Sequence, residues 1–207
     1  MVEISPRAKS RMTVMSSDHR TDRRGLVIPH GDWPTERSTV GATELVRRFA
    51  NTISLETGAD LLATPHELAR WFTDEQLPPL LAPRWTDVHD AQLLRTLIRQ
   101  TIQDSASTRQ ALTEFASEYP VGLTFTPTTS FQPVGLRRRA SLAFVVAALW
   151  TSVHDGTFTR LGACENAHCQ WIVFDHSKNR TNRWCSERAC GGRARSQRYR
   201  DRIRSTD

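Results

Sequence analysis

At 207 residues, 38% hydrophobic and 24% charged, the chain has room for one principal core and an appendage, and its mixed composition excludes a fibrous or low-complexity protein. Its longest apolar run, Leu142 to Trp150, falls well short of the roughly 18 residues that a membrane helix needs. The formal net charge of +6 is local: residues 1–159 hold 17 basic and 17 acidic side chains, whereas residues 160–207 hold 11 and 5. Clustered cations of this kind favour a polyanionic partner through field and counterion release; the plainer reading is a solvated basic tail.

Residues 1–25 are polar and charged with little periodicity, which predicts a mobile leader rather than a signal peptide and places the chain in the cytoplasm. From Gly41 to Ser54, the positions Leu45, Val46, Phe49, Ala50 and Ile53 recur at helical spacing, predicting an amphipathic helix with Arg47 and Arg48 outward. Thr64, Pro65 and Glu67 form the signature of a capped start for a second helix that presents Leu68, Trp71 and Phe72 and ends before Pro78. A third helix is predicted over 87–105, capped by Thr86, with Leu93, Leu94, Leu97, Ile98 and Ile102 inward. Ala111, Leu112 and Phe115 mark a shorter fourth.

Between Val121 and Pro133 the composition turns to Thr, Phe and Val in near alternation, the pattern of a small hairpin carrying Leu123, Phe125 and Phe131. A further helix over 137–153 is apolar on nearly every side and belongs at the centre of a bundle. The fold class is therefore mainly α. A helical domain spans 26–155 and contains neither a glycine-rich phosphate loop nor metal-ligand spacing.

The chain's four cysteines all lie beyond that domain, as C-x4-C-x15-C-x4-C: Cys164, Cys169, Cys185 and Cys190. Two close thiolate pairs joined by a mid-length loop suit the tetrahedral, sulfur-rich shell of one structural Zn²⁺. Residues 160–204 also hold too few large apolar groups for an independent core, so a metal clip answers a real need. An iron–sulfur cluster, two disulfides or unlinked thiols remain the other readings of the pattern. His168 and His176 are substitute ligands that a complete cysteine set makes unnecessary.

After Cys169, Trp171 to Phe174 read as a strand of a short hairpin, and Asp175, Ser177 and Asn179 as turn formers bonding nearby amides, the alternative being phosphate or partner contact. Trp184 reads as a lid on the metal site. Ser186 caps the closing helix, and Gly191-Gly192 suggest that its regular part starts only after them. Projected on a helix, Tyr199 and Ile203 form an apolar seam with Ser196. Arg188, Arg195, Arg198 and Arg202 flank it on one side and Arg193, Arg200 and Arg204 on the other, the pattern of a docked helix with cationic shoulders.

These residues resemble a known family. Cys164-x4-Cys169, Phe174-x-Asp-x-Ser-x-Asn179, Arg183-Trp184-Cys185-Ser186 and Cys190-Gly191-x-Arg193-x-Arg195 look like the CGNR zinc finger, the C-terminal part of bacterial proteins with an ABATE domain, named as stress-induced transcription regulators. Asn51-Thr52, Asp60-Leu61 and Leu68-x-x-Trp71 are similar to the ABATE pattern. Gly192 stands where the finger's defining tetrapeptide has Asn.

The resemblance implies one zinc ion and DNA binding by a regulator. Phosphate contacts would come from Arg193, Arg195, Arg198, Arg200 and Arg202, with the helical domain serving as a dimerisation or sensing unit. The competing reading is a zinc-stabilised module for RNA or an acidic protein. An enzyme is not expected: four cysteines close the metal shell, and His30, His66, His89 and His154 are scattered.

Overall fold

The computed structural model describes residues 20–21, 27–28, 41–103, 106–125, 129–134 and 140–205. Most of the expected leader and the Arg137–Arg139 start of the fifth helix lie outside these residues; β1 (Arg20–Thr21), in the expected leader, pairs antiparallel with β2 (Val27–Ile28), just beyond it. The fold is mainly helical, as the periodicity predicts. No helix among the described residues is long and apolar enough to cross a membrane.

Helix α1 (Ala42–Ala50) stops earlier than its apolar spacing suggests. Beyond it Thr52 turns its hydroxyl onto the Phe49 carbonyl (2.8 Å), and the chain closes a narrow loop through Ser54 N–H to Ala59 O and Leu61 N–H to Thr52 O, each 2.8 Å. Arg47, expected outward, is 8% exposed and bonded to Glu44; only Arg48 points out, pairing with Glu75. Helix α2 (Pro65–Asp74) begins as predicted, with Thr64 Oγ1 accepting the Glu67 N–H at 3.2 Å. It buries Leu68, Trp71 and Phe72.

Helix α3 (Trp85–Ile102) begins two residues before the predicted start, because the Asp87 carboxylate accepts the Arg84 N–H (2.8 Å) and takes over the capping expected of Thr86. Leu94, Leu97 and Ile98 are buried, whereas Leu93 is 39% exposed and leaves the inward set. Helix α4 (Ala106–Ser117) leads into the predicted hairpin, β3 (Val121–Phe125) with β4 (Thr129–Pro133), and helix α5 (Ala140–His154) follows. Helix α5 is buried along most of its length, with Trp150 at its exposed edge.

A 3₁₀ turn (Thr157–Arg160) feeds β5 (Leu161–Ala163), which pairs antiparallel with β6 (Ile172–Phe174). The main core runs through Val46, Phe49, Trp71, Phe72, Leu94, Ile98, Val145 and Val146 and continues into Leu161 and Ile172. The hairpin of the cysteine segment thus completes the helical core. A π-helical turn (Glu187–Gly191) then passes into α6 (Gly192–Arg204).

Candidate metal centre and basic helix

The two loops bring their cysteines to the centre by different local devices. In the first loop, Asn166 O accepts the Cys169 and Gln170 N–H groups (2.8 and 2.9 Å), while Cys164 N–H bonds to Trp171 O (2.9 Å), so the chain folds over itself. Gln170 takes φ +46° to make this reversal. In the second loop, Ser186 Oγ accepts the Ala189 N–H (3.2 Å), the predicted cap, and sets the turn that carries Cys190 inward.

The four sulfurs lie within 4.8 Å of one another, with Cys169–Cys185 at 3.5 Å and Cys185–Cys190 at 3.6 Å. Zn–S bonds of about 2.3 Å in a tetrahedron require sulfur–sulfur edges of about 3.8 Å, and a disulfide would need about 2.05 Å. The thiols are free, and the donor set fits one structural zinc ion held by Cys164, Cys169, Cys185 and Cys190. The ion's contribution is to fasten two loops that have little other core. The finger's own buried cluster is Cys164, Cys169, Trp171, Val173, Trp184 and Cys190, half of it cysteine.

The polar surroundings support such a centre. Asn166 Nδ2 donates to Cys190 Sγ at 3.3 Å, the type of outer contact that orients a ligand. A hydrogen bond from Cys169, then one from Cys185, holds the Cys164 thiol down at about 2; its counterpart pushes Cys169 up to about 12, and Cys185, hydrogen-bonded to both and buried, is also raised. Zinc ligation by cysteine requires thiolates, so metal binding must release protons. His168 is exposed and the His176 ring packs at a tilt of 60° against Phe174, so neither joins the cluster.

The Asp175 segment takes the role of a turn. Its buried carboxylate accepts the Ser177 N–H (2.7 Å) and the Asn182 N–H (3.0 Å), and Ser177 Oγ accepts the Thr181 N–H (3.0 Å). Burial acts to raise the Asp175 pKa, but these bonds prevail and hold it below the usual carboxylate range. Trp184 is buried against the centre, as a lid would be, with the Arg183 guanidinium over its ring.

The backbone is helical through both glycines, so the expected break at Gly191-Gly192 becomes a change from π to α geometry. A Cβ at Gly191 would lie 3.1 Å from Trp184 Cδ1 and 2.8 Å from Glu187 Oε2, whereas at Gly192 it would meet nothing within 4 Å. Gly192→Ala is expected to raise stability by about 1 kcal/mol, and Gly192→Asn to leave the finger folded; denaturant melts of the zinc-loaded variants check both.

Helix α6 does not dock. None of its residues is buried, and Tyr199 and Ile203 are 64% and 49% exposed, so the apolar seam faces solvent. The helix leaves the body at Ala194, which packs partly against the finger's cluster. Of the five arginines singled out, Arg193 bonds Glu56 in the α1–α2 loop (2.9 Å), Arg195 bonds Glu187 (3.1 Å), and Arg200 bonds Gln197 (2.6 Å); all five side chains are exposed.

The joint between the finger and the helices escaped the sequence reading. The Asn51 side chain, 4% exposed, accepts the Ile172 N–H and donates to the Ile172 carbonyl, both at 2.8 Å, and so acts as one residue of a strand paired with β6. Arg99 donates to Ala50 O and to Gln170 O, each at 2.8 Å, linking the end of α1 to the first metal loop. Arg95 grips Asp60 through both guanidinium nitrogens (2.5 and 2.8 Å) and reaches Thr52 Oγ1 (3.2 Å). His66, His89 and His154 are exposed on three different helices and form no shared site; His30 lies outside the described residues.

These features define a zinc-finger protein whose finger is built onto a helical domain. Residues 160–203 match the CGNR zinc finger, and residues 43–155 match the ABATE family, described as "Putative stress-induced transcription regulator". The chain belongs to the ABATE family and carries a C-terminal CGNR zinc finger. A comparison with curated proteins returns no match.

Proposed function

We propose that this protein is a cytoplasmic DNA-binding transcription regulator in which zinc fixes the base of α6 and the arginines of that helix contact duplex DNA. The observation that carries the reading is a helix with no buried residue whose exposed sides present Arg193, Arg195, Arg198, Arg200 and Arg202. Planar guanidinium forks suit phosphate oxygens and guanine edges. The helical domain would join two copies or receive a signal. A regulatory rather than enzymatic role accords with the family description and with a closed thiolate shell.

Titrating the zinc-loaded protein against duplex DNA over a range of salt tests this. Log affinity should fall with log salt by about 0.9 per phosphate contact, and Arg198→Ala/Arg202→Ala should flatten the slope by about two units. A wild-type response that is already flat would sink the proposal. The alternative of an RNA-stacking module finds less support, because Trp171 and Trp184 are buried and Phe174 is partly covered, leaving Tyr199 as the exposed ring of the finger's four.

A further inference from the structure

Building on the proposed DNA binding, we infer that α6 lies in the major groove with Tyr199 and Ile203 against base edges, reading the 5-methyl groups of thymine. In a globular chain an apolar helical seam normally packs on the body, yet here the body contacts α6 on another side: Ala194 packs against the metal cluster and Arg193 holds Glu56. Tyr199 and Ile203 are left in solvent, one helical turn apart, with Ser196 beside them.

The charges around that seam are arranged as a groove would require. At about 100° per residue, Arg193, Arg200 and Arg204 fall within about 40° of arc, and Arg195, Arg198 and Arg202 within about 60°. The two stripes lie roughly opposite each other, each about 90° from the Ser196–Tyr199–Ile203 face. The remaining face carries Asp201 and Gln197, joined at 2.8 Å, on the side of Ala194 and the protein body. The helix therefore keeps its carboxylate away from the face between the arginine stripes.

B-form DNA offers the complementary shape. Its major groove is about 12 Å wide, accepts a helix about 10–12 Å across, and is walled by two phosphate strands. A helix of 13 residues, about 20 Å long, can touch both walls with its arginine stripes while its apolar face meets the floor. The apolar group on that floor is the thymine methyl. A minor groove about 6 Å wide would not admit the helix, and single-stranded RNA would leave one stripe without a phosphate wall.

The test uses the full zinc-loaded protein and the duplex it enriches from a random pool. Replacing thymine by deoxyuridine removes only the methyl, and affinity should fall about fourfold for each methyl group contacted. Tyr199→Ala/Ile203→Ala should bind wild-type duplex more weakly, lose the deoxyuridine effect, and keep the salt slope set by the arginines. The exposed positions of both residues make a folding failure an unneeded explanation, and the change in the DNA requires no variant at all. A minor-groove ligand such as netropsin should not compete.

Salt-dependent duplex binding that is indifferent to deoxyuridine, a selected site without thymine, or displacement by netropsin would overturn the inference while leaving DNA binding intact. No binding to duplex, or tighter binding to single-stranded RNA, would overturn the proposed function with it.

Discussion

Asn51→Ala is expected to lower the unfolding free energy of the zinc-loaded protein by about 2–4 kcal/mol, a large share of the stability of an ordinary domain. The side chain is buried and bonds both backbone groups of Ile172, so its removal strands a donor and an acceptor in the core. Asn51→Asp keeps the shape and tests the mechanism: one carboxylate oxygen would face the Ile172 carbonyl and could donate nothing to it. Equilibrium denaturation should show both variants shifted to lower denaturant. Hydrogen exchange should show the Ile172 amide losing protection while the amides of α2 keep theirs. An Asn51→Ala variant as stable as wild type would mean that the joint is supported elsewhere, Arg99 being the first place to look.

Zinc removal is expected to have the larger effect. The finger's cluster has six buried residues, three of them cysteines, and apparent binding energies of structural zinc are about 10–16 kcal/mol. A strong chelator should unfold residues 164–191 and release α6 from its base. Tryptophan emission should shift to the red as Trp171 and Trp184 leave their buried positions. Because Leu161 and Ile172 belong to the main core, the helical domain should melt at lower temperature as well. Chelated protein that retains amide protection at Cys164 and Cys190 would refute a structural role for the metal. Acidification should release zinc along the same route, because protons compete for all four thiolates.

The cysteine quartet was legible because metal spacing is written along the chain, and the start of α2 because Thr64 and Glu67 lie three residues apart. Arg47, Arg95 and Arg99 were not. An arginine within an amphipathic repeat reads as solvent-facing, and the partners that bury Arg99 lie 49 and 71 residues away, at Ala50 and Gln170. Asn51, Thr52 and Asp60 carried the family resemblance without disclosing a task; the structure gives them one, in the joint and in the grip of Arg95. Asn166 had a faint signal as a turn-former between two ligands, while Glu56 had none. The seam of α6 misled for a physical reason. Apolar residues at i and i+4 predict packing, but the turn at Glu187–Gly191 sends the helix away from the core.

The passage from α5 through Thr157–Arg160 into β5 contains no slack. A finger on a flexible tether tumbles independently and loses that freedom on reaching its target. Here the orientational entropy is surrendered when the chain folds, so the ordering cost on association is smaller and more of the contact energy appears as affinity. The same rigidity imposes a steric condition: whatever α6 touches must also accommodate the helical domain at a fixed angle.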